Sequence, residues 1–373
     1  MSAAFDTVDH VIMCQRLEVL LGLRGTALEW FRSYLSSRSQ CVSVGDALSE
    51  MLCLLFGVPQ GSVLGPILFT IYILPLAKIA ERHDIDMHMY ADDSQVYVTF
   101  DICDAVKRGH TIQQAEACIS EIQSWMVQNK LQLNGSKTEI VVFISPYTKR
   151  HHGEIQLQIC EDLITSSVSA RNLGTTLDRH LSMEDHIAHV CRSCYFHIRN
   201  VKSLKPILNQ DALISVVHAF ISSRLDYCNS LLYGLPDKQI QKLQRIQNIA
   251  ARLVSGSRKF DHVTPVLRDL HWLPVRQRIQ FKILTLTFKA LNGLGPEYLM
   301  DLLKVKENAR TLRSSSELCL CVPSSHYKFY GDRAFCVAAP TLWNKLPGDI
   351  RKSKSLASFK KSLKTHLFRV AFC

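Results

Sequence analysis

Residues 85–100 read IDMHMYADDSQVYVTF, with two adjacent carboxylates, Asp92 and Asp93, in the middle of the stretch. Upstream, Ile85, Met87 and Met89 alternate with polar residues; downstream, Val96, Val98 and Phe100 do the same. A two-residue period on both sides of a short break predicts strand, tight turn, strand. Aspartate suits turns because its carboxylate bonds to nearby backbone, and that alone is one reason to find it at a hairpin tip. A pair of like charges has a second reason: divalent cations take hard carboxylate oxygens as ligands.

Outward from the hairpin, residues 1–145 mix helical and strand patterns. Val8 to Tyr34 has helical spacing interrupted around Gly22 to Gly25, while Gln40 to Val44 and Leu52 to Phe56 read as strands. The loop FGVPQGSVLGP then opens a helix over about Ile67 to Arg82. A helix from about Ala105 to Asn129 and a strand from Glu139 to Ile144 follow the hairpin. The pattern predicts an α+β fold with strand hairpins rather than βαβ alternation. Within the loop, Gly57, Gly61 and Gly65 leave the backbone bare, and Pro59 and Pro66 stiffen it. Bare backbone admits a flat partner such as a base pair or sugar.

From about Asp185 the pattern turns to long helices. Pro236 stands at the start of one and Gly256 past its end. In it, Ile240, Leu243, Ile246, Ala250 and Leu253 form an apolar stripe. Lys238, Lys242, Arg245 and Arg252 share another face, either a solvated surface or one that tracks a nucleic-acid backbone. The last segment, Arg351 to Cys373, carries seven Lys or Arg and no acid, and repeats Leu356, Phe359, Leu363 and Leu367 on one side. That is a basic amphipathic helix, packed on the body or touching phosphates through Lys360, Lys361 and Lys364.

Composition narrows the partners. An excess of 44 Lys plus Arg over 33 Asp plus Glu, a net charge of +11, favours a polyanion. The longest apolar run, Ile67 to Ala77, is far shorter than the roughly 20 residues needed to span a membrane. No signal peptide is read at the N-terminus, and 13 scattered cysteines fit a reduced, intracellular compartment, nucleus or cytoplasm. His186, His189, Cys191, Cys194 and His197 invite a zinc reading, but they sit on one helical segment, which cannot easily surround a tetrahedral ion.

Taken together, FGVPQGSVLGPILFTIYI, MYADDSQVY, LQLNGSKTE and ARNLGTTLD resemble motifs B, C, D and E of the reverse transcriptases of non-LTR (LINE-type) retrotransposons, in order and spacing. SAAFDTVDH resembles the end of motif A. The resemblance implies a right-hand polymerase palm over residues 1–185, a helical thumb over 186–304 and a basic C-terminal region over 305–373. The implied activity is extension of a DNA primer on an RNA template with deoxynucleoside triphosphates, using two Mg²⁺ ions, for which Mn²⁺ can substitute. By the same resemblance Asp92 and Asp93 bind the metal, and Lys137 protonates the departing pyrophosphate. Phe5 takes the position of a gate against the ribose 2′ hydroxyl, and otherwise reads as a core ring. Gln60 and Gly61 line the nucleotide and template pocket, and Leu173 and Gly174 form the primer grip.

The sequence also departs from the pattern. Motif A reads Asp-x-Ser-x-Ala-Phe-Asp, and its metal-binding first Asp falls immediately before Met1. Asp6 and Asp9 occupy other positions in that register. The fingers and the upstream endonuclease of such elements are not seen either. The expectation is therefore an RNA-directed DNA polymerase fragment, truncated within motif A. The alternative is a catalytically inactive remnant that only binds nucleic acid.

Overall fold

A computed structural model describes residues 4–101, 103–146, 154–159, 162–306, 318–325, 327 and 330–373. They form two compact units, Met1–Val168 and Ser169–Cys373, each with its own hydrophobic core. The fold is mixed, with helices and small antiparallel ribbons, as the α+β reading expects. Among the described residues every sheet is two-stranded.

In the first unit, α1 (His10–Leu21) starts where the Asp9 carboxylate accepts the amides of Val11 and Ile12 at 2.9 and 3.1 Å. It stops at Gly22, whose left-handed φ of 67° ends the helix. Val8, expected in the helix, lies before it, and its carbonyl accepts the Gly57 amide at 2.8 Å. After α2 (Thr26–Leu35), β1 (Arg38–Gln40) pairs with β4 (Leu52–Leu54), and β2 (Ser43–Val44) pairs with β3 (Ala47–Leu48). The strand expected over Gln40–Val44 is thus split between β1, which pairs with β4, and β2, which Gly45 at φ 61° turns back onto β3.

The helix expected over Ile67–Arg82 is two, α3 (Gly65–Ile73) and α4 (Pro75–Arg82), divided at Pro75, which has no amide to continue the ladder. Phe69 and Tyr72 on α3 are fully buried. The Tyr72 hydroxyl donates to the Asn129 carbonyl at 2.7 Å, while Arg16 donates to the Asn129 side chain. The Arg16 guanidinium lies 4.7 Å over the Tyr72 ring and 4.8 Å over Trp125. This cation between two rings ties α1, α3 and the end of α5 (Ala105–Gln128) together.

Between α4 and α5 runs the ribbon β5 (Asp86–Tyr90) and β6 (Asp93–Tyr97). Beyond α5, β7 (Gln156–Ile159) pairs with β8 (Asp162–Thr165). The strand expected over Glu139–Ile144 does not form. Only Val141 bridges, to Ser167 just beyond β8, where the Ser167 amide donates to the Ile140 carbonyl at 2.7 Å.

The second unit opens with β9 (Ser169–Asn172) and β10 (Thr175–Asp178). Next, the Asp178 carboxylate accepts the amides of His180, Ser182 and Met183 at 3.1, 2.9 and 2.7 Å, turning the chain into α6 (Glu184–Leu204). Then come α7 (Gln210–Val217), a π-turn (His218–Ser222), α8 (Ser223–Asp226), α9 (Asp237–Ser255), α10 (Val263–Asp269) and α11 (Val275–Leu291). The chain ends with α12 (Glu297–Asp301), α13 (Phe335–Trp343), α14 (Gly348–Arg351) and α15 (Leu356–Phe372). Phe359 of α15 stacks on Phe288 of α11 at 4.3 Å and faces Trp343 at 5.8 Å, so the C-terminal region shares the core of the preceding helices. Arg333 adds a polar clasp, donating to the carbonyls of Leu181, Leu231 and Tyr233 at 2.8, 3.2 and 3.1 Å. The sequence boundary at 185 therefore falls inside this unit, which begins at Ser169 and includes the regions expected at 186–304 and 305–373.

Candidate functional site

The hairpin of β5 and β6 closes through two residues, Ala91 and Asp92, with Tyr90 opposite Asp93. Ala91 adopts a left-handed φ of 52°. Met87, Met89, Val96 and Val98 pack on the first core, while on the other face His88 and Tyr97 stack at 5.2 Å and share a 2.8 Å hydrogen bond. Alternation thus seats the ribbon on one side and carries the carboxylates out to its tip. Asp92 is half-buried there and Asp93 exposed.

Two adjacent carboxylates are the donor chemistry that a hard divalent ion takes, with substrate phosphates and water completing its shell. Among the described residues no group of three or more His, Cys, Asp or Glu side chains could hold a metal. The pair therefore fits as a partial ligand set. Asp9 is committed to capping α1, and the Asp6 carboxylate accepts the Gln60 amide at 2.8 Å. Ser2, in the same motif, lies outside the described residues.

That Asp6–Gln60 contact belongs to a close crossing of two segments. Asp9 bridges Phe56, the Gly57 amide donates to Val8, and the Val58 amide donates to Phe5 at 2.9 Å. Gly57 is required there: its φ is 89°, and a β-carbon would meet the Asp6 and Phe5 backbone at 3.0–3.1 Å. His10 and Arg38 both reach the Gly57 carbonyl at 2.8 Å. Gly61, at φ 76°, faces open space. Phe5 is half-buried and stacks on Phe69 at 4.8 Å, which is how a core ring behaves. Lys137 is exposed at the end of a short turn, Gly135–Lys137.

Leu173 and Gly174 lie in the second unit as the two-residue turn of β9 and β10. Both have positive φ, 44° and 80°, the geometry of a type I′ hairpin. The Tyr227 hydroxyl donates to the Leu173 carbonyl at 2.6 Å, and its ring lies 3.4 Å from where a Gly174 β-carbon would be. Tyr227 gave no signal in the sequence, since its partner is 54 residues away.

Of the basic groups, Lys238 and Arg245 on α9 are exposed and Lys242 half-buried. Arg252 is spent differently, donating to the Asp261 carbonyl at 2.9 Å. On α15, Phe359, Leu363 and Leu367 are buried as the apolar repeat requires, leaving Lys360, Lys361 and Lys364 exposed. Arg351 is not part of that helix; it is buried in α14 and donates to the Leu318 carbonyl and the Cys319 sulfur. The five zinc candidates all lie on α6. Burial pushes the Cys194 thiol up to about 12, so it stays protonated, and burial lowers His186.

Residues 1–177 match the family described as "Reverse transcriptase (RNA-dependent DNA polymerase)". These residues belong to the reverse transcriptase family. Similar proteins include the "Probable RNA-directed DNA polymerase from transposon BS" of Drosophila melanogaster, 26% identical over 75% of this chain and 31% of that protein. The "Probable RNA-directed DNA polymerase from transposon X-element" is 26% identical over 72% of this chain and 29% of its own length. The "RNA-directed DNA polymerase from mobile element jockey" is 25% identical over 64% and 26%. The kinship is with non-LTR retrotransposon reverse transcriptases, and the chain spans about 31% or less of these relatives' lengths.

Proposed function

We propose that the chain is part of an RNA-directed DNA polymerase of a non-LTR retrotransposon, extending a DNA primer on an RNA template. The observation that carries this reading is the hairpin that lifts Asp92 and Asp93 to the tip of a ribbon seated on a packed core. These two carboxylates would hold divalent metal, Mg²⁺ or Mn²⁺. When bound, a pair of such ions activates the primer hydroxyl and neutralises the leaving pyrophosphate.

The other roles follow the family. Gln60, held by Asp6, and Gly61 with open space beside it form a wall for nucleotide and template. Phe5, fixed by Phe69, limits the space at the sugar. Lys137, exposed on its turn, supplies a proton to pyrophosphate. The Leu173–Gly174 turn positions the primer end, and Lys238, Lys242, Arg245, Lys360, Lys361 and Lys364 offer charge to phosphates. Residues 1–185 then serve as palm, 186–304 as thumb, and 305–373 as a basic region that braces the thumb.

One observation favours a second reading, a remnant that binds nucleic acid without catalysis: among the described residues no third ligand joins the two carboxylates. Extension of oligo(dT) on poly(rA) with dTTP and Mg²⁺ separates the two. Extension that disappears in Asp92→Asn supports the polymerase. Retardation of the primer–template without extension refutes catalysis by this chain and leaves the binding role.

A further inference from the structure

The outward face of α6 carries a feature that the polymerase reading does not use. After Asp185 the helix contains no acid, while Arg192, Arg199 and Lys202 all stand exposed. Among them Tyr195 is 45% and Phe196 57% exposed. Residues three and four apart share a helix face, so Phe196 is flanked by Arg192 and Arg199. Large aromatic rings are costly to leave in water, and a cluster of them amid cations marks a contact surface.

The neighbouring π-turn extends that surface. Its Phe220, 43% exposed, stacks on His197 of α6 at 5.1 Å, and His197 meets Phe196 edge-on at 5.3 Å. Arg224 is fixed against the same group, donating to Ser193 at 3.0 Å and to the Phe220 carbonyl at 2.8 Å, with its guanidinium 5.9 Å from the Phe220 ring. Burial and Arg224 both lower the His197 pKa, which favours a neutral, stackable ring. π-type insertions in helices are frequent at functional sites, and Phe220 lies within this one.

From this arrangement of exposed rings among exposed cations, we propose that the α6 face and the π-turn bind single-stranded nucleic acid, with unpaired bases stacked on Phe196 and Phe220 and phosphates held by Arg192 and Arg199. Rings and cations alternate here as they do on stacking platforms for unpaired strands. A duplex keeps its base faces covered and could use only the cations. The inference deepens the nucleic-acid reading above and rests on it, but not on catalysis.

The test uses the full chain, without triphosphate or metal, and fluorescence anisotropy of labelled oligo(rU), oligo(dT) and a blunt duplex. Phe196→Ala is expected to weaken single-strand binding by about 5- to 100-fold, with Phe196→Trp restoring it. Duplex affinity should change by less than about twofold, while Arg199→Gln lowers the salt slope on single strands by about 0.7. The oligo(rU) and oligo(dT) arms show whether RNA or DNA is preferred. Phe220→Ala should repeat the Phe196 effect; if it fails to fold, the more exposed Phe196 carries the test.

Equal loss on duplex and single strand, or no loss with circular dichroism unchanged, overturns the proposal. So does binding of phosphatidylserine vesicles without binding of oligonucleotides, which would make the face a membrane contact. Asp92→Asn should leave single-strand binding intact. Loss of extension with the platform working removes only the catalytic reading, whereas failure of the platform with extension intact removes only this one.

Discussion

Of the hairpins that close through two residues, two are supported in opposite ways. At Ala91-Asp92 the strands rest on the core through Met87, Met89, Val96 and Val98, and the tip carries charge outward. At Leu173-Gly174 the tip itself is pinned, by the Tyr227 hydroxyl on the Leu173 carbonyl and the Tyr227 ring against Gly174. The first turn presents carboxylates and takes its rigidity from below. The second offers only backbone, so it takes rigidity from a side chain brought by another element. If that turn positions the primer end as proposed, its rigidity counts, because orientation of reactants accounts for several kcal/mol of a barrier.

The sharpest break of this contrast is Asp92→Asn. Primer extension should fall by at least about 100-fold, as loss of a metal ligand implies, with the urea midpoint unmoved. A midpoint that fell with activity would make Asp92 a structural residue. In the pinned turn the effect belongs to stability: Gly174→Ala meets both a φ of 80° and the Tyr227 ring. It should cost about 1–3 kcal/mol in urea unfolding. Tyr227→Phe keeps the ring and removes the hydrogen bond, at about 0.5–1.5 kcal/mol by the same measurement. Smallest are two gains. Leu173→Asn and Ala91→Gly relieve left-handed strain at φ 44° and 52° and should each add about 0.5–1 kcal/mol. A loss in either would show that the replaced side chain packs more than its backbone strains.

The same contrast explains what could be read from sequence. The helices expected over Ala105–Asn129 and after Pro236 are present as Ala105–Gln128 and Asp237–Ser255, because their caps and their 3.6-residue stripes are local. The carboxylate hairpin was legible for that reason too: alternation and turn lie within sixteen consecutive residues. Tyr227 was not, since nothing near it in the chain names its partner. Arg252 shows the limit for charge, because a basic stripe does not reveal which member donates to a neighbouring loop. The strand expected at Glu139–Ile144 had the right residues, but a strand needs a partner running alongside it, and Val141 meets only Ser167, beyond the end of β8.

Arg333 bears on how the second unit is born. Its guanidinium serves carbonyls at Leu181, Leu231 and Tyr233, the first of them 152 positions earlier in synthesis. While the ribosome is still making the stretch between, those oxygens remain with water, and the early helices wait unfastened. A message broken before that arginine codon would release a product with α6 and α9 complete in sequence but without this clasp and without the Trp343 and Phe359 rings of their core, open to proteases.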